Sequence, residues 1–166
     1  MDVAVPALPL HCTFEAADWQ RLARHWHAVA LSSEVSEAPF KATLLDEPLV
    51  LYRLGSELVA ARDVCPHRGV PLSMGTADGG GVVCAYHGLR FGAGGRCNHI
   101  PASPTQNIPA RMRLHTYAVA ERYGLIWVCL AKPAGVSDAD IQIPPMPGWD
   151  EDGFQQIVCP GFDIAG

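Results

Sequence analysis

The sequence predicts an all-β domain opened by one short helix. Three observations carry this. Only the segment around Trp19 places apolar residues at helical spacing. From His27 to Leu130 the apolar residues fall in short runs rich in Val and Leu, separated by Ser, Pro, Gly and acidic residues, which is strand texture. The connections are short, which favours antiparallel neighbours.

In chain order, Thr13 is placed to cap a helix whose first turns hold Glu15 and Asp18, with Phe14, Trp19, Leu22, Ala23 and Trp26 toward one side. The runs HAVAL, FKATLL, PLVLYRL and ELVAAR follow as strands, the last two joined by a turn at Gly55-Ser56-Glu57. Gly79-Gly80-Gly81 reads as a turn into a strand VVCAY; without the Lys and Ser/Thr of a P-loop it is not a phosphate cradle. Gly92-Ala93-Gly94-Gly95 turns LRF into RCNHI, and TYAVAER with LIWVCL forms a closing hairpin across Tyr123-Gly124, with Ile126, Trp127 and Val128 as core. From Lys132 the texture changes to a Pro-rich exit, since prolines cannot donate to a sheet ladder. The expected organisation is a helix and strand over 1–38, a β domain over 39–131 and an exit segment over 132–166, leading to something beyond Gly166.

Composition narrows the function classes. Hydrophobic residues make up 49% of the 166 and charged residues 17%, which argues for an ordered core. A net charge of -5, with its Lys and Arg spread singly, offers no basic surplus for nucleic acid. No apolar run reaches the roughly 18 residues of a membrane span, and the N-terminus lacks a positive n-region, so the expectation is a soluble cytoplasmic chain.

The chemistry sits between Cys65 and Gly88. Cys65-x-His67 and Cys84-x-x-His87 are two mixed pairs with sixteen residues between them. Thiolate and imidazole bind zinc, iron-sulfur clusters and copper, so ligand type alone does not choose. Structural zinc sites usually pair Cys with Cys and His with His. Mixed pairs suit two irons treated differently, one Cys from each loop on one iron and one His from each loop on the other. The remaining thiols, Cys12, Cys97, Cys129 and Cys159, read as ordinary small side chains.

With Pro66, Arg68-Gly69 and Tyr86-His87-Gly88 around the pairs, the stretch resembles the Rieske motif of bacterial aromatic-ring oxygenases. HWHAVALSSEV, LRFGAGGRCNHIP and YAVAERYGLIWVCL resemble the flanking strands and hairpins of the same family, over about residues 19 to 131. The branch it most resembles includes vanillate O-demethylase and phthalate dioxygenase. The resemblance implies a Rieske fold, antiparallel sheets with a small two-loop cluster-binding subdomain. It also implies a [2Fe-2S] cluster held by Cys65, His67, Cys84 and His87, with His67 and His87 as the electron-transfer end. By the same resemblance His87 meets a carboxylate leading to the mononuclear iron of a neighbouring subunit, in trimers where Rieske and catalytic domains meet head to tail. The donor is a flavin or iron-sulfur reductase or a ferredoxin.

High-potential respiratory Rieske proteins carry an additional disulfide and a Ser hydroxyl where this chain has Val70, Tyr86 and Leu89, so the expected potential lies toward the low end of the roughly -150 to +300 mV Rieske range. Gly69 and Gly88 allow tight loops, and Arg68 and Arg90 are placed to offset cluster charge. The other histidines, His11, His25, His27, His99 and His115, do not form the two-His, one-carboxylate pattern of a mononuclear Fe(II) site. That iron, and the catalytic domain that would hold it, are expected outside these residues. The expectation is therefore the electron-transfer part of an oxygenase component. A free-standing Rieske ferredoxin and a structural zinc module are the alternatives, separated by the gene sequence beyond Gly166 and by iron and sulfide content.

Overall fold

In the computed structural model, which describes residues 7–104, 107–132 and 142–157, one helix and ten short strands build two antiparallel sheets. Helix α1 (Ala16–Leu22) precedes β1 (His27–Leu31), β2 (Phe40–Leu44), β3 (Glu47–Leu54) and β4 (Glu57–Arg62). Then come β5 (Thr76–Ala77), β6 (Val82–Val83), β7 (Arg90–Phe91) and β8 (Cys97–His99), and last β9 (Thr116–Arg122) and β10 (Leu125–Cys129). The larger sheet runs β1-β10-β9-β4-β3-β2 and the smaller β5-β6-β7-β8. No helix among the described residues is long and apolar enough to cross a membrane.

Strand β3 explains how the two layers are joined. Leu49, Val50, Leu51 and Tyr52 are all fully buried, the mark of a strand covered on both faces. Alternation sends Leu49 and Leu51 into one core with Trp19, Ala60, Ile126 and Val128. Val50 and Tyr52 enter a second core with Cys65, Leu72, Cys84, Leu89 and Phe91. The Tyr52 hydroxyl donates to the Gly92 carbonyl at 3.2 Å, tying the sheets together, and burial raises its pKa above the ordinary tyrosine value. The candidate metal loops thus stand on a core of their own.

Several expectations need correction. Thr13 does not cap the helix: its N–H and hydroxyl both donate to Asp46 Oδ2, at 2.7 and 2.8 Å, and α1 begins after Glu15 with no side-chain cap. The cause is the β2–β3 turn, where Leu45 and Asp46 are both left-handed, with φ of 50° and 64°, and no glycine announces it. Asp46 tolerates that conformation, and the Leu45 carbonyl is held by Trp19 Nε1 at 2.8 Å. On α1, Trp19 is buried while Leu22 is exposed, so the apolar face is narrower than the spacing implied. Ile126 and Val128 are core, but Trp127 is only half-buried and its Nε1 donates to the Arg122 carbonyl. The strand expected over VVCAY is two residues long, and Cys84 lies just past it. In the exit segment Ile143 is buried and Trp149 packs edge-on against Tyr123 at 5.4 Å.

One surface pair supplies a pH test. Arg53 holds Glu121 through both carboxylate oxygens, at 3.0 and 3.1 Å, and this keeps the Glu121 carboxyl below its ordinary value of 4.5. A carboxylate lowered in the folded state contributes stability above the unfolded value and loses it as pH falls through the folded one. The pair is partly exposed, so Glu121→Gln should cost at most about 1 kcal/mol at pH 7 and nothing below that window. Denaturation midpoints measured from pH 7 down to pH 3 check it.

Candidate metal centre

The two predicted ligand loops have the same backbone. In the first, the Cys65 N–H donates to the Val70 carbonyl at 2.9 Å and the Cys65 carbonyl accepts from the Gly69 N–H at 2.8 Å. In the second, Cys84 N–H to Leu89 carbonyl is 2.9 Å and Gly88 N–H to Cys84 carbonyl is 3.0 Å. Each loop turns back through a glycine at positive φ, +75° at Gly69 and +70° at Gly88, which a side chain would strain. Val70 and Leu89 offer backbone carbonyls to their own loops.

The four predicted residues come together as two pairs of unlike burial. The Cys65 and Cys84 side chains are close enough to interact, in residues 2% and 3% exposed. Burial, with the second thiol beside it, pushes the Cys65 thiol up to about 11. His67 and His87 are exposed, their rings 4.7 Å apart between centroids and inclined at 68°. Among the described residues no three His, Cys, Asp or Glu side chains gather at one point, as ligands of a single ion would. A thiol pair inside and an imidazole pair outside suit a group with one sulfur-preferring and one nitrogen-preferring end, and Cys65, Cys84, His67 and His87 are the residues able to hold it.

The surroundings contain features that sequence reasoning missed. A Cβ on Gly88 would come 2.9 Å from Pro101 Cγ, so the loop after β8 walls the second ligand loop. Tyr86 lays its exposed ring over His87, 3.8 Å between centroids. Arg90 pairs with Asp78 at 3.0 Å and donates to Asn98 Oδ1 at 2.8 Å, bracing the small sheet. Arg68 is exposed beside His67. Two buried carboxylates went unnoticed, Glu47, which grips Arg62, and Asp63, which accepts from Ser73. Neither has a periodic or motif signal, because only a tertiary partner distinguishes a buried acid from a surface one. Of the other thiols, Cys97 and Cys129 are buried and Cys12 half-buried, while Cys159 lies outside the described residues.

An all-β fold of two antiparallel sheets, with two matched Cys/His loops at one end, is the architecture of a Rieske protein. The chain belongs to this family: residues 25–118 match the model of the Rieske [2Fe-2S] domain. The cofactor of that domain is a [2Fe-2S] cluster, and the donor set above fits it. The chain is 41% identical to the oxygenase component of dicamba O-demethylase from Stenotrophomonas maltophilia, over 72% of this chain and 37% of that protein. It is 39% identical to the vanillate O-demethylase oxygenase subunit of Pseudomonas sp. (strain HR199 / DSM 7063), over 62% of this chain and 28% of that one. The solved structure of dicamba monooxygenase with non-heme iron and dicamba aligns with a TM-score of 0.66 and 40% identity, covering 74% of this chain and 37% of that one. The chain thus spans between 28% and 37% of the length of these relatives, and corresponds to the Rieske domain of an oxygenase component.

Proposed function

We propose that this chain is the electron-transfer part of an oxygenase component that hydroxylates or demethylates a small aromatic substrate. In this reading it takes electrons from a reductase or ferredoxin and passes them through His87 to a mononuclear iron in a catalytic domain of its own or a neighbouring subunit. The observation that carries it is the division of the donors, thiols buried and imidazoles exposed, on two loops of one geometry. When bound, the cluster supplies one-electron storage. Cys65 and Cys84 hold the inner end away from water, and His67 and His87 place the outer end at the surface, where a partner can approach.

Charge supports a protein donor of acidic character. Between Val64 and His115 the sequence has five arginines and a single carboxylate, Asp78, in a chain of net charge -5. Arg90 neutralises Asp78, while Arg68, Arg96, Arg111 and Arg113 are exposed and form no ion pair among the described residues. Arg68, on the first ligand loop beside His67, is the cation placed to meet an acidic donor at the cluster end.

The test is chemical and kinetic. Anaerobically purified chain should contain two irons and two acid-labile sulfides and show a rhombic resonance when reduced, with a potential near the low end of the Rieske range. Its reduction by an acidic plant-type ferredoxin should slow at least about tenfold between 20 and 500 mM salt. A colourless protein with one zinc, or a potential far above zero, would refute the reading.

A further inference from the structure

We propose that Asp63 is a positioning residue for the first ligand loop, doing with its side chain what a strand pair does for the second. The inference rests on Cys65, His67, Cys84 and His87 being cluster ligands, and concerns what holds two of them in place.

The two loops are alike inside but not at their bases. The second springs from β6 and returns into β7, and its flanking residues Val83 and Arg90 are backbone partners. Its ends are closed by the sheet. The first leaves β4 after Arg62, and β4 pairs with β3 and β9, while the chain leaving the loop goes into a 3-10 turn at Leu72–Met74 and then into β5 of the other sheet. No strand pair closes this base.

Asp63 spans the gap. It is 3% exposed, one of two buried charged residues among those described. The Ser73 N–H donates to Oδ1 at 2.7 Å and the Ser73 hydroxyl to Oδ2 at 2.5 Å. The Asp63 N–H in turn donates to the Pro48 carbonyl at 2.9 Å, which anchors the clamp to the start of β3. Residues 63 and 73 are thus joined, and the loop carrying Cys65 and His67 is closed at a fixed width. A carboxylate buried at this depth is retained only where its oxygens are satisfied, and here two donors from one serine satisfy both. Groups that orient metal ligands from behind typically change metal retention by 10- to 100-fold when removed.

The test uses the full chain carrying its cluster. After reduction, iron release to a ferrous chelator is followed for wild type, Asp63→Ala, Asp63→Asn and Ser73→Ala, and the resonance of each reduced protein is recorded. Asp63→Ala loses both bonds and should release iron at least about tenfold faster, with broadened resonance lines. Asp63→Asn keeps an acceptor for the Ser73 N–H and a donor for its hydroxyl, so it should stay within about twofold of wild type. Ser73→Ala keeps one bond and should fall between. A purely structural staple would lower the denaturation midpoint while leaving the line shape of the folded protein untouched. Wild-type release and line shape in Asp63→Ala, or an Asp63→Asn as impaired as the alanine, would overturn the proposal. If Asp63→Ala does not fold, Ser73→Ala decides: faster release supports the clamp and a wild-type rate refutes it. Absence of iron and resonance from the wild type would refute the ligand assignment itself, a result distinct from any of these.

Discussion

Replacing Cys65 or Cys84 by serine is expected to give a colourless protein without iron, inorganic sulfide or a rhombic resonance. Both thiols are buried, at 2% and 3% exposure, and the two ligand loops meet the second core through them. Serine matches the size, but its hydroxyl does not ionise in such a site and is a poor ligand for iron beside sulfide, so the inner end of the cluster has nothing to replace the lost bond. Loss should be complete from either position, because a single thiol cannot hold that iron. Iron and sulfide analysis and the absorption spectrum check it. Cys12, half-buried and outside both loops, is the control, and Cys12→Ser should keep a full cluster. His67→Cys or His87→Cys should behave differently from the serine variants. Thiolate donates more charge than imidazole, so some cluster remains, and its potential moves down toward the plant-type ferredoxin value of about -400 mV.

Gly81→Ala should destabilise the fold by about 3 kcal/mol or more and take cluster content down with it. Gly81 has a φ of +151°, and a Cβ there would sit 2.1 Å from the Phe91 carbonyl oxygen and 2.6 Å from its carbon. That carbonyl is backbone, so relief requires parting β6 from β7, whose Val82–Phe91 and Val83–Arg90 pairs close the base of the second ligand loop. Gly79→Ala separates the two components of the cost. Gly79 is also left-handed, with φ of +75°, but a Cβ there meets nothing within 4 Å, so only the backbone penalty of about 1 to 2 kcal/mol remains. Denaturation curves of the two variants, with iron per chain, check the difference.

Much of the fold is readable one residue at a time. HAVAL, ELVAAR and TYAVAER coincide with β1, β4 and β9, since short Val- and Leu-rich runs between turn residues have few alternatives to a strand. Gly55 and Gly124 mark their hairpins because left-handed backbone is cheap at glycine. The turn at Leu45-Asp46 escapes such reading, being held in its conformation by Trp19 and Thr13, distant in the chain. Thr13 is misread for the same reason, its best acceptor lying 33 residues away. Nor does the sequence show that the small sheet brings Asp78 and Asn98 to Arg90.

Ligand chemistry and spacing are properties of the chain itself: which donors are present, that each His lies two or three residues from a Cys, and that glycine follows closely enough for the backbone to double back. Those facts single out Cys65, His67, Cys84 and His87 as candidate donors, because few metal groups accept mixed pairs at such separation. Only the tertiary structure decides that the thiols point inward and the imidazoles outward, that Pro101 walls one loop, and that Asp63 closes the other. Burial and partnership arise from segments far apart in sequence packing on the two faces of β3, and no local pattern encodes which distant residue will arrive.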